Sequence, residues 1–148
     1  MSAVSIAALL AAAGVNQACQ SSAGANTALQ PTVVEPPRTT KTFSGTVAVN
    51  GQDKNNFTTL QNGTLDITLT AAGPPDTVVM RLGLGQPSTT DSTACINQFG
   101  ISVDTRATTT PQITVPAPAG AYCVAVAEIG NATGPVNYTV TVKGAFGG

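Results

Sequence analysis

The stretch GAYCVAVAEIGNATGPVNYTVTVKG, Gly120–Gly144, decides the fold. Tyr122, Val124 and Val126 alternate with Cys123, Ala125 and Ala127. After a Gly- and Asn-rich turn, Val136, Tyr138, Val140 and Val142 repeat the period. Alternation of this kind marks strands with one buried face. The small side chains opposite Tyr122 leave room for a close neighbour or a disulfide on that second face.

The same period runs back through the chain. KTFSGTVAV places Phe43, Val47 and Val49 on one face, and Asn50-Gly51 marks a turn because both residues tolerate positive φ. NNFTTLQ is the next strand, and Asn62-Gly63, the strongest hairpin signal in the chain, joins it to TLDITLTA. There Leu65, Ile67 and Leu69 oppose Thr64, Asp66, Thr68 and Thr70. Two prolines in AAGPPD end that strand, since proline cannot continue a ladder. TVVMRLGL sets Val78, Met80, Leu82 and Leu84 in phase; FGISVDT and QITV follow a polar loop that contains Cys95. About eight short strands with turns between them predict an all-β fold, an antiparallel β-sandwich of jelly-roll-like topology.

Composition agrees. Thr, Val, Ala and Gly dominate, ten prolines punctuate the turns, and no amphipathic helical pattern of useful length occurs after residue 30. Only 9% of the residues are charged and the net charge is −1. The six cationic side chains are scattered, so nothing here would attract nucleic acid, which needs a cluster.

Three segments follow: an apolar signal or anchor segment over 1–25, a Pro-rich linker over 26–40, and a β-sandwich domain over 41–148. SAVSIAALLAAAGV is shorter than the roughly 20 apolar residues of a membrane span and fits a signal-peptide core. No Lys or Arg precedes Arg38, which this reading accounts for by a start further upstream. Ala23-Gly24-Ala25 is a cleavage pattern that would release a chain beginning at Asn26. QAC, ending at Cys19, instead matches a bacterial lipoprotein box except at Asn16, where an aliphatic residue is usual. Retention of an uncut segment is the third course. All three expect an exported protein: periplasmic, outer-envelope or extracellular, and lipid-anchored if Cys19 is acylated. With Cys19 removed or acylated, Cys95 and Cys123 remain as a pair. In an oxidising compartment they form a bridge worth about 3–4 kcal/mol; the alternative is two buried thiols.

Gly120, Tyr122, Val124 and Val126, then Asn137, Tyr138, Val140 and Val142, resemble the ending of the bacterial pre-peptidase C-terminal domain family. Those domains close roughly on Gly-x-Tyr-x-Val-x-Val, a polar turn, and Asn-Tyr-x-Leu-x-Val. Asp53 and Phe57 are similar to an acidic residue shortly before an aromatic in the family's opening, and PDTVVMRLG resembles its middle. The resemblance spans Lys41–Gly144. It implies a secreted accessory sandwich, normally attached to a peptidase or another extracellular enzyme; the expectation here is a domain that acts without one. Some relatives, such as the collagen-binding modules of secreted collagenases, bind calcium through an acidic linker; here Glu35 is the linker's only acid.

Candidate chemistry is sparse. The sequence has no histidine, so Ser-His, Cys-His and most zinc sites are excluded. Asp53, Asp76 and Asp91 read as turn residues, and Asp66, Asp104 and Glu128 as turn or exposed-face residues, so no carboxylate pair stands out for acid–base work. Calcium is the one cofactor with candidate ligands, Asp53, Asn55 and Asp91 in oxygen-rich loops, although each loop brings a single carboxylate. LGLGQ lacks the lysine and helix of a phosphate loop. Tyr122 and Tyr138 fall in the apolar phase and read as core. The expectation is a non-enzymatic module that docks onto a protein partner in an envelope or extracellular assembly. The alternative is a carbohydrate- or matrix-binding module with a loop calcium site.

Overall fold

The computed structural model describes residues 34–91, 94–96 and 100–147. The 1–25 segment with Cys19, and linker residues 26–33, lie outside them. The described residues form nine strands: β1 (Thr39–Val47), β2 (Gln52–Thr59), β3 (Gly63–Gly73), β4 (Met80–Pro87), β5 (Cys95–Ile96), β6 (Ser102–Thr105), β7 (Ile113–Ala117), β8 (Gly120–Glu128) and β9 (Val136–Gly144). Strand β1 begins ahead of Lys41, because Thr39 and Thr40 already pair with Gly144 and Lys143.

Every strand pairing is antiparallel, and the strands make two sheets. The first runs β1-β9-β3-β7; the second runs β2-β8-β4, with β5 and β6 sharing the far side of β4. Strand β6 covers Met80–Gly83 and β5 covers Gln86 and Pro87. Counting β5 and β6 as one broken strand, the order is that of an eight-stranded jelly roll. The ninth strand is thus the Cys95 segment, which composition alone read as loop.

One expectation is corrected. Asn62-Gly63 does not close a hairpin, since β2 pairs with β8 while β3 pairs with β7 and β9. A two-residue hairpin of that composition needs positive φ at both residues, and among the positive-φ positions Asn50 is present while Asn62 and Gly63 are not. The chain uses the turn to cross between sheets. It does the same between β8 and β9, each of which is an inner strand of its own sheet.

The alternation does its expected work inside. Leu65, Ile67 and Leu69 of β3 meet Met80 and Leu82 of β4, with Val124 and Val126 of β8 and Val140 and Val142 of β9, all in one buried cluster. Fully burying an aliphatic side chain contributes about 1.5–3 kcal/mol, so this inner layer is the main source of stability. Val49 departs from its expected inward phase: it sits in the turn after β1 and is 40% exposed.

Candidate functional site

The predicted ligands come apart into two places. Asp53 and Asn55 lie on β2 in the phase that points between the sheets, so Asp53 is not a turn residue as its sequence context suggests. Both reach the hydroxyl of Tyr138, on β9 of the opposite sheet. Tyr138 donates to Asp53 Oδ2 at 2.7 Å and accepts from Asn55 Nδ2 at 2.8 Å. Burial, then the neighbouring Asp53, holds the phenol above its usual value of 10 and keeps it protonated. Gly45 makes the approach possible: a Cβ there would stand 2.5 Å from Asp53 Oδ2 and 2.8 Å from the Tyr138 ring. Asp53 Oδ1 takes the Lys54 amide at 2.7 Å.

Asp91 lies in the loop after β4, where its amide donates to Ser88 Oγ at 3.0 Å. No group of three His, Cys, Asp or Glu side chains close enough to hold a metal exists among the described residues. Glu35 faces Arg38 at 3.7 Å. A tight calcium site takes six to eight oxygens, so this donor set does not fit one. The pair on β2 serves as an inter-sheet polar clasp.

Cys95 and Cys123 form a disulfide with Cα atoms 5.9 Å apart. It ties β5 to the inner strand β8 on the outer face of the second sheet, where the small residues predicted a close neighbour. Lys54 donates to the Ala94 carbonyl at 3.3 Å beside it.

Glu128 is the residue that sequence reasoning missed. It reads as an exposed strand residue, yet it is only 4% exposed. One carboxylate oxygen accepts the Asn50 amide at 2.7 Å; the other accepts the amides of Asn131 at 2.6 Å and Ala132 at 2.9 Å. These backbone bonds, the Asn50 amide first, pull its pKa down to about 2. The carboxylate clasps the β1–β2 turn to the β8–β9 loop. Its signal in the sequence was a lone acid at a strand end, flanked by Ile129-Gly130-Asn131.

At the far side of the sandwich, a cleft of about 250 Å³ opens between β4, β7 and β8. Leu84, Ile101, Val115, Ala117 and Tyr122 line it, with Pro116 and the Pro118–Gly120 backbone at one side and Gln86 at the other. The wall at Pro118–Gly120 is held in place by three side chains. Asn62 Oδ1 accepts the Ala119 amide at 2.8 Å, the Tyr122 hydroxyl donates to the Pro118 carbonyl at 2.8 Å, and Thr59 Oγ1 donates to that same carbonyl at 3.0 Å. Thr59 also accepts the Gly120 amide at 3.1 Å. The other wall is fixed by the Leu84 amide on the Ile101 carbonyl at 3.0 Å. None of the lining residues carries a charge. The cleft is pre-formed, mostly apolar and small.

The outer face of the first sheet offers a different chemistry. Thr42, Thr141 and Thr68 stand in one cross-strand row, and Ser44 and Thr139 begin the next, their hydroxyls 3.1 Å apart. Thr46 donates to Asn137 Oδ1 at 2.7 Å in the row beyond. At the other end, Arg38 reaches Asp66 at 2.6 Å, and Thr114 bonds the same carboxylate at 2.8 Å. No protein-family model matches the chain, and no curated protein matches it.

Proposed function

We propose that the chain is a non-enzymatic, exported accessory module, a relative of the pre-peptidase C-terminal domains, that docks onto a protein partner in an envelope or extracellular assembly. The observation that carries this reading is the pre-formed cleft at Leu84, Val115, Pro118 and Tyr122. Sites for whole small molecules run to about 300–1,000 Å³, and this one, at about 250 Å³, is sized for one anchoring side chain of a larger partner. An uncharged lining selects an apolar anchor, and a fixed backbone wall lowers the ordering cost of binding. The disulfide favours an oxidising, exported setting. A non-enzymatic role is supported by the lack of histidine and by the engagement of Asp53, Asp66 and Glu128 in structural bonds.

The test is a photo-crosslinking residue at Ala119, on the full chain in its own envelope fraction, followed by mass spectrometry. One stoichiometric protein partner is expected. Ala119→Glu, which sets a charge at the cleft, abolishes its recovery, while Ala121→Glu, on an exposed strand position, retains it. Recovery that survives Ala119→Glu overturns the cleft as the docking site.

The hydroxyl rows of the first sheet favour a second reading, a carbohydrate- or matrix-binding module. Thr, Ser and Asn side chains supply donors and acceptors without charge, although no aromatic side chain stands among them to stack a sugar ring. Sedimentation of the chain with insoluble polysaccharide, with and without calcium or a chelator, checks both parts of that reading.

A further inference from the structure

A β-sandwich must dispose of its sheet edges, because each presents unpaired backbone groups that invite another strand. Here the edges are treated unequally. Strand β7 is five residues long and carries Pro116, which removes a donor. Strands β5 and β6 are two and four residues long. Strand β2 turns the carboxylate of Asp53 inward beside the edge, another recognised guard against strand addition.

Strand β1 differs. It runs nine residues without a proline, and its register with β9 continues unbroken from Thr39 to Val47, so no bulge twists the edge away. Among the described residues nothing pairs with its other side. Its one charge, Lys41, lies over the Phe146 ring, 4.8 Å from the centroid. Six of its nine residues are exposed, and Phe43 is half-buried at the seam between the sheets.

The edge is also self-complementary, as a two-fold interface requires. An antiparallel copy centred on Phe43 sets Thr42 opposite Ser44, Thr40 opposite Thr46 and Lys41 opposite Gly45. Phe43 then meets its own copy on the inner side. No like charges face each other, and the Thr–Ser and aromatic pairs are among those that stabilise strand pairing.

We infer that the β1 edge is a self-association site: two copies of this chain pair β1 to β1, antiparallel about Phe43, and join their first sheets into one continuous eight-stranded sheet. The site lies at the edge opposite β7, so it leaves the cleft open and stands independently of the protein-partner reading. The pairing extends the hydroxyl rows from Thr42 and Ser44 across both copies.

The experiment is sedimentation equilibrium of the full chain in gentle detergent, with three samples. The parent chain sediments as a dimer whose mass falls on dilution. Thr42→Lys with Ser44→Lys sets lysine against lysine twice in this register, and weakens association by at least about tenfold. Mixing that variant with Thr42→Glu/Ser44→Glu restores a mixed dimer, since the opposed charges are now complementary. Unchanged circular dichroism of each variant separates lost pairing from lost folding. A parent chain that stays monomeric overturns the inference, and so does a dimer that the two lysines leave intact or that the mixture fails to restore.

Discussion

The outer faces of the two sheets follow one alternation rule and end in opposite states. On the first sheet the outward positions include Thr42, Ser44 and Thr46, exposed on β1, and Thr139 and Thr141, half-buried on β9, with Ser44 bonded to Thr139 and Thr46 to Asn137. On the second they are Cys123, Ala125 and Ala127 on β8, with Gly83 and Gly85 beside them on β4. There the outward side chains are small so that a crossing segment can lie down and be pinned by Cys95. The period tells which residues leave the core. Their size and polarity tell whether water or another piece of chain meets them.

Removing the pin is the largest way to break that contrast. Cys95→Ser with Cys123→Ser is expected to lose about 3–4 kcal/mol by loop entropy, read as a drop in the urea midpoint under non-reducing conditions. Thr141→Ala, the corresponding change on the hydroxyl face, is expected to stay within about 0.5 kcal/mol. Comparable losses from both would mean the faces do not differ as described.

Between those limits lies the clasp that joins the sheets. Tyr138→Phe keeps the ring and removes a hydrogen bond from each of the half-buried Asp53 and Asn55, at about 1 kcal/mol, the usual net worth of such a bond. Chemical denaturation measures it, and Asp53→Asn in the same background should recover part of the loss. The same phenol sets an alkaline limit. Because folding raises its pKa above 10, its contribution is full below pH 10 and declines at higher pH.

The acid side belongs to Glu128. Its carboxylate stands at 4.5 when unfolded and at about 2 in the native chain. Its contribution is therefore complete above pH 4.5 and is lost as the pH falls toward 2. Melting temperatures across pH 2–6 should show this slope, and Glu128→Gln should flatten it. An unchanged slope in the variant assigns the acid sensitivity to other carboxylates. The smallest expected effect is Thr42→Ala alone, within about 0.5 kcal/mol, which differs from the self-association test by adding no charge.

Much of this was legible beforehand. Leu65, Ile67, Leu69, Val124 and Val140 announced a two-layer sandwich because burial of one face forces a period of two. The cysteine pair was legible as one of two alternatives. What local pattern does not carry is which strands pair: Asn62-Gly63 has the composition of a hairpin, but its backbone angles and the demands of β8 and β3 sent the chain across. Asp53 and Glu128 misled for the same reason. Each is an acid beside a turn, and only the fold reveals that the Tyr138 hydroxyl or the distant Asn50 amide waits for it. The cleft is least legible of all, since Leu84, Ile101 and Pro118 come from separate strands and loops.

The pairing of Thr39 with Gly144 has a temporal consequence. Among the described residues the first strand of the sandwich has its one bonded neighbour in the last, so β1 has no strand to pair with until β9 arrives. Contacts this distant in sequence make for slow folding, and a chain delivered from its N-terminus carries β1 unpaired through the whole of its emergence. The strand that waits longest is also the one whose outer edge takes no partner among the described residues.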